Sequence, residues 1–256
     1  MQANTRRAIF RRLAAANPAP TTELLHDTPF ELLVAVMLSA HTTDRSVNAA
    51  TRNLFPVANT PAAIAALGIE GVKPYIKPVG LYSTKAKNLV GLAQQLLERH
   101  DGQVPAERAA LEALPGVGRK TASVILNMVF GQVEIAVDTH IFRVANRTGL
   151  APGKTPLEVE KALTANTPPE YRKDAHHWLI LHGRYVCTAR APHCPTCLIR
   201  DLCEYQHKTP APKPRAAGSR APHPMSPRRG GAGAGTRSRT GARSRTTRAA
   251  RPRAAR

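Results

Sequence analysis

A lysine that follows a glycine-rich turn is the residue of this chain best suited to covalent chemistry. Lys120 lies in the string LPGVGRKTA, at residues 114–122, where a helix is predicted to begin near Arg119. Because the helix dipole disfavours a cation at this end, the position favours the neutral amine. A neutral lysine amine is a nucleophile that can form a Schiff base. The alternative is a solvated surface lysine, the commoner fate of this residue type.

A carboxylate is the second candidate. Asp138 lies in the string VDTHIFRV, at residues 137–144, just before a helical pattern of apolar residues. This position is typical of an N-cap, which fixes only the backbone. A carboxylate here could also stabilise positive charge that develops on a sugar as its base departs, as carboxylates do in glycoside hydrolysis. The sequence leaves both roles open.

Two glycines precede Lys120 and predict an anion site. Pro115 ends the preceding helix, and Gly116 and Gly118 are expected to permit positive φ and to leave the backbone bare. Glycine N–H groups and a helix N-terminus together bind an anion without side-chain charge. A DNA phosphate suits such a site, and its binding would not depend on base sequence. An ordinary turn between two helices is the alternative.

All four cysteines of the chain lie within one short stretch, in a C-x6-C-x2-C-x5-C array of Cys187, Cys194, Cys197 and Cys203. Because none lies elsewhere, the array argues against a disulfide framework. Four thiolates suit either zinc or a 4Fe-4S cluster. Zinc sites commonly use two C-x2-C pairs, and this array contains one.

The elements that must position these residues are predicted to be helices, because helix signals recur and strand signals are nearly absent. The strings at 28–31 and 155–158 each combine an N-cap threonine, a proline at the first helical position and a capping-box glutamate. The chain is therefore expected to be all-α, with roughly ten helices. Further helix starts and spans, predicted from the spacing of apolar residues, are Thr60, Ser83, 105–113, 119–130 and 170–186.

The chain is strongly basic, with a formal net charge of +20. Residues 208–256 contain 14 Lys and Arg and no acidic residue, which leaves 23 basic and 17 acidic residues in the first 207. This terminal segment is nearly devoid of large apolar residues and is predicted to be a disordered basic tail. A basic protein binds polyanions, so nucleic acid is the expected partner. An anionic membrane is disfavoured because no spanning apolar run or basic amphipathic helix is present.

The strings LPGVGRKTA and VDTHIFRV together resemble the endonuclease III family of DNA glycosylase/AP lyases, over residues 5–206. The resemblance implies two helical domains that flank a DNA cleft: residues 22–132 with a helix-hairpin-helix, and residues 1–21 with 133–207. It also implies that Lys120 attacks the sugar and leaves a Schiff base at C1′, that Asp138 assists, and that the four cysteines hold a 4Fe-4S cluster, with zinc as the minor alternative.

The resemblance also implies a set of DNA contacts: Gly116, Gly118, Arg119, His41, Leu81, His140 and Arg190. His41 and Leu81 match two loops that fill the gap left by an extruded base. The family usually has glutamine where this chain has His41, although an imidazole can still form a hydrogen bond with the orphaned base. Between the first two cysteines the chain keeps Arg190 but is otherwise poor in charge, and the basic tail is a candidate for compensation.

The expected function is base-excision DNA repair, with removal of oxidised pyrimidines and cleavage 3′ to the abasic site by β-elimination. The expected partner is double-stranded DNA with a damaged pyrimidine or an abasic site. The protein is expected to be a monomer in the cytoplasm, associated with the nucleoid, since no signal-peptide core follows the N-terminus. A non-catalytic DNA-binding protein is one rival. A monofunctional mismatch glycosylase is another, disfavoured because its family members lack the lysine.

Overall fold

The fold is that of a computed structural model, and the residues that the structure describes are 1–211. The predicted all-α class is confirmed, since these residues form ten α-helices, two short 3₁₀ helices and no β-strand. The predicted tail at 208–256 lies, from residue 212 onward, outside the described residues. No helix within residues 1–211 combines the length and apolarity that crossing a membrane requires.

The helices, in chain order, are α1 (Ala3–Ala16), α2 (Pro29–Leu38), α3 (Asp44–Leu54), α4 (Pro61–Ile76), α5 (Tyr82–His100), α6 (Arg108–Glu112), α7 (Arg119–Met128), α8 (Thr139–Thr148), α9 (Pro156–Asn166) and α10 (Arg172–Tyr185). The 3₁₀ helices are Pro169–Tyr171 and Cys194–Thr196.

The Thr-Pro strings begin helices as predicted. The hydroxyls of Thr28, Thr60 and Thr155 each accept a hydrogen bond from the backbone N–H three residues later, at the starts of α2, α4 and α9. Glu31 and Glu158 complete the starts of α2 and α9, but each carboxylate accepts from the N–H of the residue before the threonine. These starts need no tertiary contact, which is why the sequence alone identifies them.

Other helix boundaries differ from the predictions. The helix predicted to open at Ser83 begins at Tyr82, because Leu81 adopts a left-handed backbone and serves as the N-cap. The helix predicted at 105–113 shortens to α6, and the span 170–186 divides into a 3₁₀ turn and α10. α4 is broken at Gly68, whose φ of 66° is not helical. Apolar spacing indicates that a helix exists but not where its exposed first turn begins.

Buried apolar residues form two clusters. The first cluster contains residues of all the helices from α2 through α7, with side chains such as Leu33, Leu92 and Ile125. The second joins α1 to α8, α9 and α10 around Phe10 and Trp178. This second cluster explains why the N-terminal helix packs against the C-terminal part of the described chain. The division into domains at 22–132 and 1–21 with 133–207 stays a prediction, because all described residues also belong to one compact unit.

Two helical glycines predict opposite responses to alanine. A methyl group at Gly183 in α10 would lie 2.9 Å from His140 Cβ and 3.0 Å from His140 O in α8, which is too close. A methyl group at Gly91 in α5 would lie 3.4 Å from Pro115 Cγ, an ordinary contact. We expect Gly183→Ala to lower the free energy of unfolding by about 1–3 kcal/mol. We expect Gly91→Ala to raise it by up to about 1 kcal/mol.

Denaturant unfolding of both variants and the parent protein checks this pair of expectations. A stabilised Gly183→Ala variant would show that α8 and α10 are not in close backbone contact.

Candidate active site

The turn between α6 and α7 depends on a glycine at one position for two reasons. Gly116 has a φ of 78°, a conformation that other residues rarely adopt. A methyl group there would also lie 3.0 Å from Asn88 Cβ and 3.2 Å from Met37 Cγ. The turn can therefore pack against α5 and α2 only if residue 116 lacks a side chain.

The second glycine has a different role from Gly116. Gly118 has a φ of −99° and a ψ of 178°, an extended conformation open to any residue, so the positive φ that glycine permits is not used here. A methyl group at Gly118 would meet no heavy atom within 4 Å. The bare backbone thus leaves open space, where a ligand can approach closely. Gly118 is also the N-cap of α7 and provides no side-chain cap, which leaves the first N–H groups of α7 for an anion.

Lys120 and Asp138 lie against each other although 18 residues separate them. Lys120 Nζ is 3.4 Å from Asp138 Oδ2. The lysine side chain is about half exposed, with 52% of its surface accessible, whereas only 10% of the Asp138 side chain is accessible. The nucleophile candidate therefore faces the solvent, and its partner is held in the protein.

The two roles proposed for Asp138 belong to its two oxygens. Oδ1 accepts hydrogen bonds from the backbone N–H groups of His140, at 2.9 Å, and Ile141, at 2.8 Å. This is the N-cap of α8, as predicted. Oδ2 remains free of the cap and faces Lys120. Capping and a contact with the lysine are therefore compatible.

The surroundings of Asp138 keep it ionised. Burial alone would raise the pKa of this carboxyl group, but the charge of Lys120 and the N–H of Ile141 outweigh burial, so the pKa lies below its ordinary value of 3.8. Nearby, burial and the neighbouring His177 lower the pKa of His176 to about 3. The buried imidazole of His176 is neutral at physiological pH, and the carboxylate is negative.

One cleft contains six of the nine residues predicted to be catalytic or to contact DNA. Helices α2 and α7, which belong to the first apolar cluster, line part of the cleft. Helices α8 and α10, which belong to the second, also line it. The predicted residues in its lining are His41, Gly116, Gly118, Lys120, Asp138 and His140. Arg119, Leu81, Arg190 and the cysteines lie outside this lining. The structure thus places the Lys120 amine, the Asp138 carboxylate and the glycine turn in the lining of the same cleft.

Arg119 is held by a partner on α9 that the sequence did not indicate. Its guanidinium forms an ion pair with Glu160, with 2.5 Å between Nη2 and Oε1. The hydrogen bond that Arg119 donates to Glu160 raises the pKa of Arg119. Arg119 therefore joins the glycine turn to α9 and would have to leave Glu160, or share it, to contact DNA.

Two exposed loop residues have unusual backbones. His41 and Leu81 have φ values of 54° and 58°, and only Asp101 joins them among non-glycine residues of the described chain with positive φ. Leu81 is 69% exposed, so its side chain is not part of the apolar core. Each left-handed residue costs about 1–3 kcal/mol and persists only where its surroundings impose it. Such strain is frequent at binding sites and is consistent with the predicted DNA-contacting loops.

The four cysteines line one cavity at the C-terminal end of α10, together with residues such as Arg147 and Ile199. None forms a disulfide. Within residues 1–211, no three potential ligands converge closely enough to hold a single metal ion. Four thiols that line one cavity are a donor set that suits a 4Fe-4S cluster or a zinc ion.

Two arginines of α8 hold the loop between the first two cysteines. Arg143 Nε donates to Cys187 O at 2.9 Å, and Arg147 donates to Thr188 O at 2.7 Å and to Ala189 O at 2.8 Å. These contacts join residues about 40 positions apart. They fix the backbone on which the exposed Arg190 follows.

Sequence reasoning missed two other residues of the cleft. Arg184 of α10 lines it and forms ion pairs with Glu23 and with Asp44, at 2.5 Å from the latter, so it joins α10 to the start of α3. His176 also lines the cleft, near Asp138. Both lie on a helix whose pattern predicted only core packing, and the adjacent pair of histidines was the only available signal.

Comparisons with known proteins agree with this geometry. Residues 34–169 match the model of the HhH-GPD superfamily of base excision DNA repair proteins. The chain is 62% identical to endonuclease III of Escherichia coli (strain K12) over 200 residues, which cover 78% of this chain and 95% of that protein. It is 57% identical to endonuclease III of Haemophilus influenzae (strain ATCC 51907 / DSM 11121 / KW20 / Rd) over 208 residues, which cover 81% and 99%.

A solved structure is also similar. It is a trapped endonuclease III–DNA covalent intermediate with an estranged adenine, which matches this fold with a TM-score of 0.75 and 41% sequence identity. The match covers 80% of this chain and 96% of that chain.

Two substitutions separate the roles of Asp138 in stability. We expect Asp138→Ala to lower the free energy of unfolding by about 1 kcal/mol, because the α8 N-cap is lost. Asparagine also caps helices, so Asp138→Asn should lose only the contact with the exposed Lys120, worth less than about 1 kcal/mol. Denaturant unfolding near neutral pH measures both. Equal destabilisation by the two substitutions would contradict the division of labour between Oδ1 and Oδ2.

The pH dependence of the free energy of unfolding provides a second test of the charged form of Asp138. Because the pKa of Asp138 is lowered on folding, the carboxylate stabilises the folded state above its ordinary pKa, and this contribution is lost as the pH falls through the lowered value. The difference between the parent protein and Asp138→Asn should therefore shrink below pH 3.8, the ordinary value for this carboxyl group.

Proposed function

This chain belongs to the endonuclease III family within the HhH-GPD superfamily of base excision DNA repair proteins, and we propose that Lys120 and Asp138 are its catalytic residues. The protein binds DNA and is a bifunctional DNA glycosylase and AP lyase, which removes a damaged base and cleaves the strand 3′ to the abasic site. The distance of 3.4 Å between Lys120 Nζ and Asp138 Oδ2, at the opening of the cleft, is the observation that carries the assignment of residues.

The proposed reaction uses the Lys120 amine twice. Lys120 first loses a proton to solvent, and the lone pair of the neutral amine forms a bond to C1′ of an extruded nucleotide. The bond from C1′ to the base breaks with its electron pair, so the base leaves and takes up a proton. The attached amine loses a proton, and its lone pair forms the C=N bond as the C1′–O4′ bond breaks. O4′ keeps the electron pair of that bond and takes up a proton, and a protonated Schiff base results. Loss of a C2′ proton then expels the 3′ phosphate. Water hydrolyses the Schiff base and returns the free lysine.

Asp138 is proposed to act electrostatically. Positive charge develops on the sugar as the base departs and on the lysine nitrogen as the new bond forms, and a nearby carboxylate stabilises both. Its lowered pKa keeps the group ionised at neutral pH, and its N-cap contacts fix the direction of Oδ2. The half-exposed lysine can move towards a substrate while the carboxylate stays in place.

The DNA contacts are proposed on the same basis. Gly116, Gly118 and the free N–H groups at the start of α7 would bind a backbone phosphate. His41 and Leu81 would enter the gap that the extruded base leaves, with Leu81 as the apolar wedge. Arg119, His140 and Arg190 would contact DNA around the site.

The four cysteines are proposed to hold a 4Fe-4S cluster through Cys187, Cys194, Cys197 and Cys203. Burial raises the pKa of the Cys197 and Cys203 thiols, so coordination is what would keep them as thiolates. When bound, the cluster would crosslink the loop that carries Arg190.

Further expectations rest on the family and on charge. The substrate is proposed to be double-stranded DNA with an oxidised pyrimidine or an abasic site. The protein is proposed to act as a monomer in the cytoplasm, in association with the nucleoid, with residues 208–256 as a basic segment that adds DNA affinity.

Covalent trapping tests the role of Lys120. We expect borohydride to trap an adduct between the parent protein and duplex DNA with an abasic site or thymine glycol. Lys120→Ala should abolish the adduct and slow strand cleavage by about 1,000-fold or more, because the nucleophile is absent. Lys161→Ala, an exposed lysine of α9, is the matched control and should retain both. An adduct that survives Lys120→Ala would overturn the assignment.

Elemental analysis tests the cluster. Protein purified without oxygen should contain about four iron and four sulfide per chain, as a 4Fe-4S site requires. One zinc per chain, with little iron after anaerobic purification, would instead support the zinc alternative.

A further inference from the structure

A buried lysine in the first turn of α5 has no role in the function described so far. Lys85 is only 6% exposed, whereas Lys87, two residues later, is exposed. A buried ammonium group is costly unless its three N–H groups find acceptors. Lys85 Nζ has three: Leu38 O at 2.8 Å, Ala40 O at 2.5 Å and Thr42 Oγ1 at 3.0 Å.

These acceptors all lie in one short segment around His41. Leu38 is the last residue of α2, whose final carbonyls carry partial negative charge and favour a cation. Ala40 and Thr42 are the two neighbours of His41 in the chain. The lysine therefore binds the backbone on both sides of a residue whose φ is 54°.

The same lysine is one helical turn from the second strained residue. Lys85 N donates to Leu81 O at 3.0 Å, in the first turn of α5, and Leu81 has a φ of 58°. The two loops also touch, since a methyl group at Gly80 would lie 3.7 Å from His41 O and 3.7 Å from Thr42 Oγ1. Lys85 thus joins two exposed, left-handed residues that lie 40 positions apart, the His41 segment through its side chain and Leu81 through its backbone N–H.

We propose that Lys85 is a positioning residue that holds the His41 loop and the Leu81 loop as one unit, so that both side chains enter the DNA gap together. The inference rests on the proposed gap-filling role of these two residues. Lys85 touches neither substrate nor the reacting atoms, and it acts only through the two loops.

Lys85→Met keeps the length and burial of the side chain and removes its donors. Under single-turnover conditions on a duplex that contains thymine glycol, we expect excision to slow by about 10- to 100-fold, because the loops lose their common support. Lys87→Met makes the same change at the exposed position and should excise at the parent rate. An increase in fluorescence from 2-aminopurine opposite the lesion reports gap filling, and it should be lost in Lys85→Met but not in Lys87→Met.

A combined variant distinguishes positioning from general stability. His41→Ala with Leu81→Ala removes the two side chains through which Lys85 is proposed to act. Adding Lys85→Met to that pair should slow excision by no more than about twofold, since coupled residues are not additive. If Lys85→Met slows the combined variant by the same factor as it slows the parent protein, the inference is overturned, because Lys85 would then act by another route.

Thr42→Val provides a test should Lys85→Met fold poorly. It removes one acceptor and leaves Lys85 its two carbonyl partners. We expect a loss of about 2- to 5-fold in excision that disappears in the background of the combined His41→Ala and Leu81→Ala variant. A loss that persists in that background would count against the inference.

The outcomes also separate this inference from the function on which it rests. Parent-like excision by the combined His41→Ala and Leu81→Ala variant would refute gap filling itself. A slow combined variant together with a parent-like Lys85→Met would refute only the positioning role.

Discussion

A single carboxylate joins the two parts of the active site. Asp138 caps α8 with one oxygen and faces Lys120 with the other, so the start of α8 and the start of α7 are fixed relative to each other. Burial would raise the pKa of this carboxyl group, and the charge of Lys120 together with the cap N–H of Ile141 lowers it, so both contacts help to keep the carboxylate charged. Other contacts of the described fold hold these two helix starts near each other.

Several contacts serve that end, and they lie far apart in sequence. Gly183 lets α10 approach the backbone of α8 next to the cap. Gly116 lets the turn before α7 pack on α5 and α2, and the ion pair of Arg119 with Glu160 joins the same turn to α9. The proposed catalytic pair therefore lies at the starts of two helices, whereas the residues proposed to enter DNA lie on loops with left-handed backbones. This division suits a reaction in which the DNA must deform and the amine must not be misplaced.

The sequence predicted the features that depend on local chemistry. The Thr-Pro helix starts, the cap by Asp138 and the turn at Gly116 each involve residues within a few positions of one another, so a single string specifies them. The pairing of Lys120 with Asp138 came from family resemblance and not from spacing. The sequence could not reveal Lys85 or the partner of Arg119, because both contacts join distant segments. The sequence also could not tell which property of glycine matters at Gly118, because glycine permits positive φ and leaves open space equally well, and only the fold decides between them.

The central claim is that Lys120 Nζ forms the covalent bond with the sugar. Peptide mapping of the adduct tests it directly: the protein is reduced with borohydride while bound to DNA that contains an abasic site, digested with protease and nuclease, and sequenced by tandem mass spectrometry. The mass of the reduced sugar remnant is expected on Lys120. Its presence on another lysine or on the N-terminal amine would contradict the claim.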